Sequence, residues 1–246
     1  MEPDIMENSI EPYFRAEHIR SFCGAFMLDV SFSCCEHTMT CIVGPSGSGK
    51  STTLKIIAGL VKPDPAAGLA SHGDEGPVIM LGGRNIAPLA PAKRGVGMVF
   101  QKPVLFNHMR VDDNVAYGLR CRGMGRKESR ARAAELLERF GLGGFGNRLP
   151  ETLSGGEAQR VCLARTLIVE PALILFDEPL SALDAPLRKK LAAEIRERQQ
   201  ESGFTGIMVT HDIHEAKSIS DYIILIKKGR ITWQGAADDF QEDMIS

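Results

Sequence analysis

The sequence predicts an α/β protein with a mostly parallel sheet covered by helices. Three observations carry that prediction. Short, buried-looking apolar runs recur at Thr38–Val43, Val96–Phe100, Leu173–Phe176, Gly206–Val209 and Tyr222–Ile226. Stretches with helical periodicity alternate with them. A glycine-rich loop at Gly44–Ser51 joins a strand to a helix.

The elements follow in order. Phe26, Leu28, Val30 and Phe32 alternate with polar neighbours, which reads as a half-buried strand. Thr38–Val43 is a second strand running into Gly44. From Lys50 the period becomes helical, with Leu54, Ile57, Ala58 and Val61 on one face and Pro63 as the stop. Pro63–Pro77, rich in Pro, Gly and Ala, reads as a surface loop. Val78–Leu81 and Val96–Phe100 are strand-like, and Gly82-Gly83 is a turn.

Residues 102–165 have helical character and read as an insert. Ala133, Leu136, Leu137 and Phe140 form its apolar stripe, and Gly141 terminates that helix. Between Leu173–Phe176 and Gly206–Val209 a helix carries Leu187, Leu191 and Ile195 on one face. Asp184 suits its N-cap and Pro186 its first turn. Ile231–Gln234 is a last strand-like run before Ser246.

At 246 residues the chain fits one α/β domain with an insert. The net charge of −2 gives no general reason to expect a nucleic-acid partner. No apolar run is long enough to span a bilayer, and the acidic Met1–Glu11 lacks a signal-peptide pattern. A cytosolic location follows as the expectation, with recruitment by another chain if the protein acts at a membrane. The six cysteines form no CxxC pair and read as small apolar residues in a reducing compartment.

Gly44-Pro45-Ser46-Gly47-Ser48-Gly49-Lys50-Ser51 matches GxxxxGK[ST] between a strand and a helix. Glycines let the backbone curl until several N–H groups face one anion. The helix that starts there adds its positive end. Lys50 offers a point charge to outer phosphates, and the Ser51 hydroxyl is placed to ligate Mg²⁺. Thr52 follows in the same first turn and is counted with the nucleotide-binding residues. The motif alone does not separate kinases, GTPases and transport motors.

Leu173–Phe176 ends in Asp177-Glu178. An acid at such a strand tip holds Mg²⁺, directly or through water, which suits Asp177. Glu178 extends beyond it and is placed to polarise an attacking water as general base.

Leu153-Ser154-Gly155-Gly156-Glu157, followed by Gln159 and Arg160, narrows the class. Ser154 and Glu157 have capping-box spacing, which accounts for them but not for two consecutive glycines. Glycines at a helix start make sense where something such as a phosphate must approach the backbone. In this segment the chain resembles the ABC ATPase family, whose signature is LSGGQ, often with Glu last in importers. The order of motifs extends the resemblance across nearly the whole chain. Phe22 stands where the family places an aromatic ring to stack on adenine; a core Phe on a strand is the competing reading. Gln101 matches the Q-loop glutamine, which also reaches the metal, Ser181–Asp184 the D-loop, and His211 the switch histidine.

The resemblance implies an α/β P-loop NTPase fold: a RecA-like core with a mostly parallel sheet, an antiparallel β subdomain and a helical insert. It implies ATP and Mg²⁺ as ligands and a head-to-tail homodimer with shared sites. One subunit would supply Lys50, Ser51, Gln101, Asp177, Glu178 and His211, and the other Ser154–Glu157. Asp184 would communicate between the two sites. The stretch Pro103–Tyr117 would face a membrane subunit, with ordinary packing inside the insert as the equal alternative.

The membrane domain is absent from this chain, which favours an importer with separate permease subunits and a separate substrate-binding protein. That places the chain peripherally on the inner face of the membrane. Ser181–Asp184, Gly97–Gln101 and Leu105–Phe106 resemble ATPases of molybdate, sulfate, iron, polyamine and sugar importers. The expected chain is one cassette, 1–246, without a C-terminal regulatory domain. Molybdate or a related oxyanion is the favoured substrate, with iron, polyamine, thiamine or sugar as alternatives. A soluble ABC ATPase of DNA repair or translation is the reading from another class.

Overall fold

The computed structural model describes residues 12–23, 26–64, 77–181 and 183–245. The acidic start Met1–Glu11, most of the predicted loop Pro63–Pro77, and Ala182 lie outside them.

The strands form two sheets. β1 (Phe14–Cys23), β2 (Phe26–Cys34), β4 (Val78–Leu81) and β5 (Arg84–Asn85) make an antiparallel sheet in the order β2-β1-β4-β5. β3 (Met39–Val43), β6 (Val96–Val99), β7 (Leu173–Asp177), β8 (Gly206–Val209), β9 (Tyr222–Lys227) and β10 (Arg230–Ala236) make the second, ordered β10-β9-β3-β8-β7-β6. In it β6, β7, β8, β3 and β9 run parallel, and β10 adds an antiparallel edge.

The second sheet is buried on both faces, and the two-residue period sorts its side chains between two cores. Cys41, Ile174, Phe176, Met208, Ile223 and Leu225 join one core. Their chain neighbours Ile42, Leu173, Leu175, Ile207, Val209, Ile224 and Ile226 join the other. This second core is closed by α1 (Lys50–Ala58) and by Phe14, Leu28, Val30 and Phe32 of the antiparallel sheet, so α1 is held between the two sheets. The first core is covered by α5 (Ala185–Ser202), α6 (Ile213–Ile219) and the helices of the insert.

Between β6 and β7 lie α2 (Val111–Cys121), α3 (Arg126–Arg139) and α4 (Gly155–Leu167). Ala133, Leu137 and Phe140 of the expected stripe are buried, and Gly141 ends α3 at φ 65°. Asp113 joins α2 to α3 through Arg130 at 2.9 Å, and also pairs with Arg120 at 3.2 Å.

Two expectations change. β1 carries no sustained period of two in the sequence, because its alternation breaks. Phe14 and Ala16 are buried, then Ile19 and Ser21, with a register shift between Ala16 and Ile19 and His18 at φ 53°. Such a bulge inserts a residue and moves the inward positions from even to odd. The helix after the glycine loop also stops earlier than Val61. Gly59 takes φ 78°, and Arg94 Nη1 donates to the carbonyls of Ile56 (2.8 Å) and Ile57 (2.7 Å). That satisfies two of the helix's last four acceptors, and Val61 lies beyond it, 38% exposed.

Candidate functional site

Four parallel strands end at one edge of the sheet. Ile42 of β3 and Asp177 of β7 both pair with Val209 of β8, so the three lie level. Val99 of β6 pairs with Phe176, one residue earlier. The segments that leave this edge are therefore neighbours: Gly44–Gly49 after β3, Gln101 after β6, Glu178 after β7 and His211 after β8. Ligands of open α/β sheets bind at such carboxyl ends.

The glycine loop has a backbone that side chains would block. Gly44 has φ 148°, and a Cβ there would lie 2.1 Å from the Ile226 carbonyl oxygen. Gly49 has φ 101°, and a Cβ there would meet Leu28 at 2.8 Å. Pro45, Ser46 and Gly47 are exposed at the loop's outer side. The loop closes on itself through Ser48 N–H to Pro45 O, 3.2 Å. Ser48 Oγ is buried with no hydrogen-bond partner among the described residues.

Lys50, 5% exposed, donates from Nζ to the carbonyls of Gly44 and Pro45, both at 2.9 Å. Burial pulls its ammonium below the ordinary lysine value, and the charges of Glu178 and Asp177 oppose that shift. A buried cation held by neutral carbonyls, beside an orphaned hydroxyl and a helix N-terminus, fits a polyphosphate. Ser51 and Thr52 follow, half-buried, in the first turn of α1. Ser51, Gln101 and Asp177 offer hard oxygen donors of the kind Mg²⁺ takes.

Asp177, the last residue of β7, is 8% exposed. Glu178 has φ 47°, a strained value for a non-glycine residue. Its N–H donates to Val209 O at 3.0 Å, which anchors the turn. His211 Nδ1 lies 3.4 Å from Glu178 Oε2. Gln101 Nε2 donates to Ser181 Oγ at 3.0 Å, and Ser181 Oγ donates to Glu178 O at 3.0 Å. The structure thus joins Gln101, Glu178 and His211 in one chain of contacts.

Phe22 is 55% exposed near the end of β1, so the core reading of that ring does not hold. Next to it, Cys23 Sγ donates to Thr52 Oγ1 at 3.7 Å, which brings the end of β1 against the start of α1.

Ser154–Glu157 stand apart. Glu157 Oε2 accepts the Ser154 N–H at 2.6 Å and Ser154 Oγ accepts the Glu157 N–H at 3.4 Å, a full capping box. The Ser154 backbone N–H, then its side chain, holds the Glu157 carboxyl below its usual range. A Cβ on Gly156 would touch Leu187 at 3.1 Å, so packing against α5 explains that glycine. A Cβ on Gly155 would meet nothing within 4 Å, so no neighbour in this chain explains it. Asp184 caps α5 by accepting the Leu187 N–H at 2.9 Å and is otherwise exposed.

Sequence reasoning missed Arg188 and Glu215. Arg188 donates to Asp212 Oδ2 (3.2 Å) and to Leu183 O (3.0 Å). Glu215, in the first turn of α6, is 7% exposed, and burial first, then Asp212, pushes its carboxyl up to about 7. Neither residue belongs to a short motif; a Glu three residues after the Asp212 N-cap reads only as a first-turn acid.

No helix among the described residues is long and apolar enough to cross a membrane. A family model described as ABC transporter matches residues 27–181. The Fe(3+) ions import ATP-binding protein FbpC of Rhizobium etli is 46% identical over 228 residues, 92% of this chain. The chain spans 62% of that relative's length. The solved ATP-binding cassette MJ0796, a dimer in a post-hydrolysis state bound to ADP and Pi, is 31% identical. It covers 92% of this chain and 100% of its own, with a TM-score of 0.75. The cbiO1 protein of Clostridium perfringens, part of the ABC transporter complex cbiONQ, is 26% identical with a TM-score of 0.78. That match covers 94% of this chain and 90% of cbiO1. The strand–loop–helix geometry, the sheet edge and these matches agree, and the chain belongs to the ABC transporter family as an ATP-binding cassette.

Proposed function

We propose that this chain binds and hydrolyses ATP as the motor subunit of an importer, working as a homodimer on permease subunits at the inner face of a membrane. The observation that carries the reading is the convergence of Lys50, Gln101, Asp177, Glu178 and His211 at the carboxyl edge of four adjacent parallel strands.

Each residue has a task suited to its surroundings. Gly44, Pro45, Ser46, Gly47, Ser48 and Gly49 wrap the phosphates with backbone N–H groups. Lys50 exchanges its two carbonyl partners for phosphate oxygens, which a buried ammonium favours. Phe22 offers an exposed ring face to the adenine. Thr52, tied to Cys23, keeps that strand end against the loop. Ser51, Gln101 and Asp177 would hold Mg²⁺, which when bound would offset charge on the outer phosphates. Glu178 accepts a proton from the attacking water, and His211 orients Glu178 and the γ-phosphate region. Ser154, Gly155, Gly156 and Glu157 supply a capped helix start to the nucleotide of the partner subunit, with Asp184 at the facing helix start.

For the substrate, the relatives' names shift the reading from molybdate to ferric iron. Iron is among the alternatives the sequence offers, and several curated relatives at 44–47% identity are named for Fe(3+) import. The transported ion would be handled by the permease and a separate substrate-binding protein, so this chain's residues supply only the power stroke. Uptake of radiolabelled Fe(III) in cells lacking this chain tests the assignment. Uptake restored by the wild type but not by Glu178→Gln supports it. Iron uptake unaffected by deletion, with loss of another substrate's uptake, overturns it.

A further inference from the structure

We infer that Arg188 is a positioning residue that straps the D-loop to the switch-histidine loop, with Glu215 as the second acceptor its guanidinium reaches when the D-loop moves. The inference rests on the ATP-hydrolysis reading above and concerns residues outside the motifs that define it.

Arg188 lies in the first turns of α5, between the two loops. Nη2 donates to the carbonyl of Leu183 at 3.0 Å, and Nη1 donates to Asp212 Oδ2 at 3.2 Å. Asp212 is the neighbour of His211 and the N-cap of α6, where its Oδ1 accepts the Glu215 N–H at 3.1 Å. The Asp212 N–H donates to Thr210 Oγ1 at 3.1 Å. One rigid, planar fork therefore sets the spacing between a backbone atom beside Asp184 and the turn that carries His211.

The strap has an unused half. Arg188 Nε and Glu215 Oε1 are both buried and both without a hydrogen-bond partner among the described residues. Glu215 feels Asp212, Arg188, the Thr210 hydroxyl and Glu178, and it lies close enough to affect Cys41. Buried polar groups left unpaired cost free energy, and here an unpaired donor and an unpaired acceptor lie on residues close enough for the Arg188 charge to be felt at the Glu215 carboxyl. A shift of the guanidinium towards α6 would pair them, at the expense of the Leu183 carbonyl. The arrangement thus has two positions, one tied to the D-loop and one released from it. Because Glu178 also touches His211, the position of the D-loop is passed to the hydrolytic pair.

The test uses Arg188→Met, which keeps the stem, Arg188→Lys, which keeps the charge without the fork, and Glu215→Gln. In nucleotide-free protein, hydrogen–deuterium exchange should rise in Arg188→Met at both 181–187 and 211–216 and not elsewhere, with a smaller rise in Arg188→Lys. Exchange that rises at only one segment, or throughout the chain, overturns the strap. With ATP, Arg188→Met should lose about tenfold in kcat while KM stays within about twofold. Adding Glu215→Gln to Arg188→Met should cost less than the product of the separate losses. Turnover of Arg188→Met within about twofold of wild type, or losses that multiply, overturns the coupling. Wild-type protein that binds ATP and never hydrolyses it overturns the ATPase reading instead, and the nucleotide-free exchange still decides whether the strap exists.

Discussion

His211 Nδ1 sits 3.4 Å from Glu178 Oε2, and the two residues follow adjacent parallel strands, one and two positions past the paired Asp177 and Val209. Glu178 reaches this place through a strained backbone at φ 47°, held by its N–H bond to Val209 O. Glu178→Gln keeps the shape and the contact to His211 but removes the carboxylate proposed as the proton acceptor. The expected result is ATP affinity within about threefold of wild type and hydrolysis slowed by roughly 10²–10⁴-fold. Nucleotide binding by fluorescence and phosphate release by a coupled assay check the two halves separately. Normal steady-state turnover would remove Glu178 from the role of base.

Glu215 predicts how stability depends on pH. Its carboxyl is raised from 4.5 to about 7, first by burial and then by Asp212, partly offset by Arg188 and Thr210. Across that window the native state holds the proton and the unfolded chain does not, so stability falls as pH rises from about 4.5 towards 7. The shift corresponds to roughly 3 kcal/mol. Carboxylates shifted the other way act at more acid pH. Burial works against Asp212, yet the Glu215 N–H and Arg188 hold it below its usual value. Urea unfolding at pH 5, 6, 7 and 8 should show Glu215→Gln losing less stability across the window than wild type. Parallel curves for the two proteins would place the charge of Glu215 in an exposed setting.

Much of this site was legible in the sequence because its chemistry demands residue types at fixed spacing. Gly44, Gly49 and Lys50 are set by the phosphate loop, and Asp184 and Ser154 by helix capping, and each sits where its spacing implied. What was not legible depends on contacts between distant segments. Arg188 meets Asp212 across 24 positions, and Arg94 caps a helix ending 36 positions earlier, at Ala58, so neither leaves a local pattern. β1 was hidden by its bulge at His18, which cancels the period of two on which a strand is recognised. Phe22 was ambiguous for the opposite reason: alternation cannot say which face of a strand is covered until the partner sheet is known.

The cysteines divide by burial into reactive and silent thiols. Cys35 and Cys121 are exposed, Cys23 is half-buried, and Cys34, Cys41 and Cys162 are buried. Burial pushes the Cys34 and Cys41 thiols up to about 12, which removes the thiolate that alkylation requires. Native protein treated with iodoacetamide at pH 8 should label Cys35 and Cys121 first, Cys23 more slowly, and the other three only after unfolding. Peptide mass spectrometry over a time course reads this directly. Early labelling of Cys41 would mean that β3 is open to solvent in the native state.

Gly155 separates the capping role of the α4 start from its role towards a nucleotide. Within this chain nothing lies within 4 Å of a Cβ at Gly155, and the helix needs no glycine there. An acid at the first helical position improves the interaction with the helix dipole by about 0.3–1 kcal/mol. Gly155→Asp should therefore leave thermal stability equal to wild type or slightly higher. Ser154→Ala, by contrast, removes the capping hydroxyl and should cost about 1 kcal/mol. If the α4 start receives the γ-phosphate of a partner's ATP, the added carboxylate repels it. ATP-dependent dimerisation of Glu178→Gln, followed by light scattering, should then be lost on adding Gly155→Asp despite an intact fold. Retained dimerisation would leave α4 a capped packing helix and would move the shared-site contact elsewhere on the surface.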